Sequence, residues 1–148
     1  MKRSIALIIA ASLIACVSCK KRESYEEPNA VLQKWAKSIE QLNYSGYAST
    51  EAYPKSDAVF REMYRDYYMM DVMATEVEPE NPEKAASDQS GEKYLHRSIH
   101  FEGTIINRQS RKPTGVMRGE AVFVRFLEGK RRNDGWLISN RILTQIDR

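Results

Sequence analysis

Few residues in this chain have side chains suited to chemistry. The two histidines, His96 and His100, share one face of an alternating stretch. An imidazole titrates near neutral pH, so either could act as a general base or bind a metal. Four residues of extended chain cover about 13 Å, so the pair cannot chelate one ion unaided. Glu102 lies about 6.6 Å beyond His100 on the same face, at the limit for a shared ligand. The row His96, Ser98, His100, Glu102 reads as a polar, half-exposed sheet face or, if it lines a pocket, as the source of a base. Tyr64, Tyr67 and Tyr68 form an aromatic concentration, with Tyr44, Tyr47 and Tyr53 nearby in sequence. Such rings either pack a core with their phenol tips satisfied, or rim a cavity that stacks on a sugar, peptide or lipid. Asp71 and Glu76 could add a carboxylate to that group, although Asp71 also suits the start of a strand. Cys16 and Cys19 have redox-motif spacing but follow an apolar leader instead of a strand. The chain has no Gly-rich phosphate loop, no nucleophile elbow and no His-Glu-x-x-His. No cofactor or metal is implied.

The leader has its own logic. Lys2 and Arg3 precede an apolar run from Ile5 to Ala15, the charged and apolar regions of a secretory signal. A dozen helical residues span roughly 18 Å, short of the ~30 Å hydrocarbon core, so a permanent membrane span is not expected. The run closes on Leu13-Ile14-Ala15-Cys16, which resembles the lipobox of bacterial lipoproteins. The resemblance implies a signal peptide at 1–15, cleavage after Ala15, a diacylglycerol thioether on Cys16 and an acylated amino terminus. Two or three acyl chains attach a protein stably where one does not. Cys19 is the competing site, with Cys16 then standing where a lipobox has Leu. Val17 after Cys16, in place of Asp, favours the outer membrane over inner-membrane retention. Residues 16–28 read as a lipidated tether, with Lys20-Lys21-Arg22 either solvated or against anionic head groups.

With 148 residues, 42% of them hydrophobic and 29% charged, the remainder suffices for one globular domain. The formal net charge of +3 falls towards zero without Lys2 and Arg3, so charge does not call for a nucleic-acid partner. From Asn29, Val31, Leu32, Trp35, Ile39 and Leu42 form a helical stripe. Residues 43–49 read as a turn or a short helix. After Pro54, Ser56-Asp57 caps a second long helix carrying Val59, Phe60, Met63, Tyr64, Tyr67 and Tyr68. The period then changes: residues 71–78 alternate as a strand, 80–91 form an acidic loop, and three longer strands follow at 94–107, 115–128 and 136–146. In the last, Trp136, Ile138, Ile142 and Ile146 share one side, against Leu137 and Leu143. The basic residues of 107–118 and 130–141 read as solvated hairpin positions or as contacts to acidic partners such as lipid phosphate or wall polymers. The fold class is α+β, with N-terminal helices packed on a curved antiparallel sheet of about four strands.

The element order, the Trp-bearing first helix, the Tyr-rich second helix running into Asp71-Val72-Met73 and the closing Gly135-Trp136-Leu137-Ile138 resemble the nuclear transport factor 2-like (cystatin-like) superfamily over 29–148. That resemblance implies a pocket between helices and concave sheet, and domains that often pair as homodimers. Fold alone does not fix function. The expected function is a membrane-anchored, non-catalytic binding or scaffold module of the bacterial cell envelope. Its expected partners are the membrane, through the lipid, and an apolar small molecule, wall fragment or envelope protein, with no nucleic acid. The alternative is a small-molecule isomerase, dehydratase or hydrolase using a pocket His and a carboxylate.

Overall fold

The computed structural model describes residues 25–81, 84–87 and 89–147, with the side chains of 145–147 excluded. The leader, Cys16, Cys19 and the Lys20–Arg22 triplet lie outside the described residues. Three helices open the fold: α1 (Pro28–Glu40), α2 (Tyr44–Ala48) and α3 (Asp57–Met63). Five strands follow: β1 (Tyr67–Val77), β2 (Ala86–Ser87), β3 (Lys93–Asn107), β4 (Pro113–Phe126) and β5 (Leu137–Asp147). The sheet is antiparallel in the order β1-β3-β4-β5, with β2 pairing the start of β3. The protein is thus α+β, with a curved open sheet of about five strands, one of them two residues long.

Helix α1 forms where the apolar stripe predicts it. Pro28 supplies a preset φ at the first turn, and Val31, Leu32, Trp35, Ala36 and Ile39 are buried. They meet Leu95, Ile99, Phe101, Ala121, Phe123 and Ile138 from the inner face of the sheet. Trp35 and Phe101 pack edge to face, ring centres 6.3 Å apart. A smaller cluster of Ala52, Val124, Phe126 and Leu137, flanked by Tyr94, closes one end of the other face. Both clusters and the strand pairings named above lie among the described residues.

Two elements differ from expectation. The second helix is short: α3 ends at Met63, and Tyr67 and Tyr68 open β1 by pairing with Asn107 and Ile106. Arg108 explains the stop. Its guanidinium donates to the Ile39, Glu40 and Tyr64 carbonyls at 2.9, 2.7 and 3.2 Å, and its backbone N–H donates to Asp66. One side chain thus satisfies the carbonyl ends of α1 and α3 together, which fixes the turn into β1. Arg108 is a clamp, not a solvated hairpin residue.

The faces of β5 are the second difference. Ile138 is fully buried but Ile142 is 64% exposed, so the two do not share a face. A register shift pairs Phe123 with Ile138 but Val122 with Asn140, leaving Ser139 as an extra residue. A bulge of this kind inverts the alternation beyond it. Arg141 and Leu143 consequently turn to the inner side of the sheet.

Candidate functional site

Where the helices leave the sheet, towards the ends of the strands joined by residues 108–112, a cavity of about 1000 Å³ opens. Ligand pockets commonly occupy about 300–1,000 Å³. Ile39, Met63, Met69, Ile105, Met117 and Leu143 form apolar walls; Tyr47, Tyr53, Tyr64, Tyr67 and Tyr68 supply aromatic ones. Tyr53, Met63, Tyr67 and Leu143 are 59, 51, 49 and 38% exposed. Several of the protein's exposed large apolar side chains therefore collect at one mouth, as binding surfaces do.

The aromatic wall is built by the short helices. Asn43 caps α2 by accepting from Gly46 N–H at 3.1 Å, and Ser56 caps α3 through Val59 N–H. These caps hold Tyr47 against Phe60 as a stacked pair, ring centres 4.6 Å apart, with Tyr64 edge-on to Phe60 at 5.4 Å. Tyr47 and Phe60 are buried packing residues, while Tyr64 turns its hydroxyl into the cavity.

The floor is charged. Glu51, only 7% exposed, accepts from Arg141 Nη1 at 2.5 Å. Arg141 Nη2 lies 3.5 Å from the Tyr64 hydroxyl, and its guanidinium sits 4.9 Å over the Trp35 ring. The backbone sets this geometry: Ala52 N–H donates to the Ile138 carbonyl and Ile138 N–H to Thr50, a parallel bridge that lays Glu51 beside β5. Burial pushes the Glu51 carboxyl above its ordinary value, and the Arg141 charge only partly offsets that. Burial likewise raises Tyr64, so its phenol stays neutral. Burial opposes the charge of Arg141, but Tyr64 and Glu51 more than restore it. The Trp35 indole lies close enough to help hold Glu51 ionised, yet its Nε1 has no partner at hydrogen-bond geometry among the described residues.

Tyr64, Tyr67 and Tyr68 all line the cavity. The two histidines do not, and they are corrected out of the candidate set. Leu95, Arg97, Ile99 and Phe101 point inward from β3, so His96 and His100 point outward. His96 is half-buried opposite Val124, and His100 is exposed opposite Glu120 and Glu76. Glu102 faces the same way and pairs with Arg118 at 3.3 Å. Asp71, at a bulge in β1 with φ 52°, and Glu76 are exposed and do not line the cavity either.

The carboxylate actually present, Glu51, and its partner Arg141 escaped sequence reasoning. A signal existed for Glu51, which stands between Thr50 and Ala52 in a stretch otherwise short of charge. For Arg141 the bulge concealed it. Among the described residues no group of three or more His, Cys, Asp or Glu could hold a metal, and no helix is long and apolar enough to cross a membrane. No protein-family model matches the chain, and no curated protein matches it significantly.

Proposed function

We propose that this chain is an envelope lipoprotein whose domain, nuclear transport factor 2-like in architecture, binds a ligand without transforming it. Cys16 carries the lipid, the outer membrane is its destination, and the leader ahead of Cys16 is removed. The observation that carries the binding reading is the open cavity of about 1000 Å³ between helices and sheet, with aromatic walls and a floor whose charges already neutralise one another. An apolar pocket with a few fixed polar groups is what small-molecule recognition requires. Helices first, one switching strand and then long strands curving around a cavity support the superfamily reading.

The acid–base enzyme reading loses its base, since His96 and His100 point away from the cavity. Its carboxylate would have to be Glu51, which Arg141 occupies. Pairing of two copies through the sheet has one supporting observation: Met70, Met73 and Ile142 are exposed on the outer face.

Native mass spectrometry of protein gently extracted from its own membrane tests the binding reading. A small molecule is expected to accompany the wild-type chain and to be lost from Leu143→Trp, which fills the mouth while leaving the thermal midpoint nearly unchanged. A wild-type chain without any companion mass contradicts it, as does a companion that Leu143→Trp retains.

A further inference from the structure

We infer that the cavity takes a single-chain amphiphile with an anionic head, seated with its apolar body between the tyrosine and methionine walls and its head at Lys55. The inference rests on the binding reading above and names the ligand class for that same cavity.

The first ground is the balance of donors and acceptors. Several acceptors facing the cavity are already served: Glu51 Oε1 by Arg141, Asn140 Oδ1 by the Arg141 backbone N–H at 2.9 Å, and the Tyr47 oxygen by the Lys55 backbone N–H at 3.4 Å. The Ser139 hydroxyl donates to the Val122 carbonyl, and that of Thr114 to Ile105. The donors open to a ligand include the exposed Lys55 ammonium, which has no ion-pair partner among the described residues, the neutral Tyr64 hydroxyl, and the Arg141 N–H groups not spent on Glu51 or Tyr64. A ligand oxygen matches them: Arg141 is largely buried, where an unmatched donor costs about 1–3 kcal/mol, while the exposed Lys55 ammonium stands at the rim and offers its charge.

The second ground is charge. Glu51 and Arg141 cancel, so Lys55 leaves the cavity with one excess positive charge. Arg111 and Lys112, both exposed, stand just before the cavity residue Thr114. That local excess attracts anions to the mouth.

The third ground is the wall chemistry. Met63, Met69 and Met117 are unbranched and adaptable, suited to a flexible chain rather than to one rigid ring system.

The test loads the chain from Lys20 onward, which retains every described residue, with the neutral fluorophore N-phenyl-1-naphthylamine. Competitors, all below their micelle concentrations, are decanoate, decanol and lysophosphatidylglycerol. Decanoate is expected to displace the fluorophore at about five- to ten-fold lower concentration than decanol, the effect of one partly screened ion pair. The preference should shrink in about 1 M salt, where the screening length is about 3 Å. It should also shrink in Lys55→Gln, which keeps the backbone bonds of residue 55 to Tyr44 and Tyr47. If lysophosphatidylglycerol competes better than decanoate, the source is a lipid headgroup; the reverse order points to free fatty acid, and both support the class. Equal displacement by decanoate and decanol overturns the class and leaves the cavity reading intact. A decanoate preference unchanged in Lys55→Gln overturns the placement of the head. Failure of the fluorophore to bind at all overturns the cavity reading itself.

Discussion

At the scale of single residues, Glu51 and Arg141 decide how the cavity floor holds together. Both are desolvated, and their attraction has to offset that cost. Removing one partner strands the other charge, so Arg141→Met is predicted to lower stability by about 3–5 kcal/mol. The double variant Glu51→Leu with Arg141→Met should recover most of the loss, because two apolar groups restore neutrality. Chemical denaturation of the three proteins checks this; a double variant as unstable as the single one contradicts it. The same carboxyl predicts a pH dependence. Its folded value lies above the ordinary 4.5, so the folded state holds this proton more tightly than the unfolded chain does. The stability it contributes is full below about pH 4.5 and is lost as pH rises through the folded value. Glu51→Gln has no such term. The difference in thermal midpoint, wild type minus Glu51→Gln, should therefore fall across that window, and a difference constant with pH contradicts the assignment.

At the scale of elements, the sheet tolerates little change where backbone and side chains approach most closely. A Cβ on Gly119 would lie 2.7 Å from Phe101 Cζ and 2.9 Å from the Ile142 carbonyl oxygen. Gly119→Ala is expected to cost about 1–3 kcal/mol through overpacking, and an unchanged denaturation midpoint would show that β4 and β5 can move apart. Arg108→Ala should also destabilise, by about 2–3 kcal/mol, because it leaves the Ile39, Glu40 and Tyr64 carbonyls without their charged donor. Helix α1 and the inward side of β3 were legible in the sequence, because both keep an unbroken period over their whole length. The end of α3 was not. The aromatic spacing through Tyr68 fits a helix, and only pairing with Asn107 and Ile106, plus a clamp more than forty residues away, selects the strand. The alternation in β5 failed for a local reason: one extra residue at Ser139 exchanges the faces and hides Arg141 among positions that read as solvent-facing. Of the site, the tyrosine wall could be read as an aromatic concentration. The ion pair beneath it could not, since its partners are separated by ninety residues.

At the scale of the whole molecule, the two ends of the sheet have separate tasks. The chain joins the domain beside Gly135, where Tyr25 packs and donates from its hydroxyl to the Arg132 carbonyl at 3.4 Å. Arg97 reinforces that end by pairing with Glu27 at 2.9 Å and stacking on Trp136. The cavity opens at the other end. A lipid on Cys16 would thus hold the domain by the end opposite the cavity and leave the ligand-accepting mouth turned from the bilayer, so tethering and binding need not interfere. Lipidation is the claim on which the cellular setting depends. The most direct test is the intact mass of the protein isolated from its native membrane fraction. The account predicts a chain that starts at Cys16 and carries the added mass of a diacylglyceryl group and an amide-linked acyl chain. A chain that retains residues 1–15, or one with an unmodified thiol at Cys16, contradicts it.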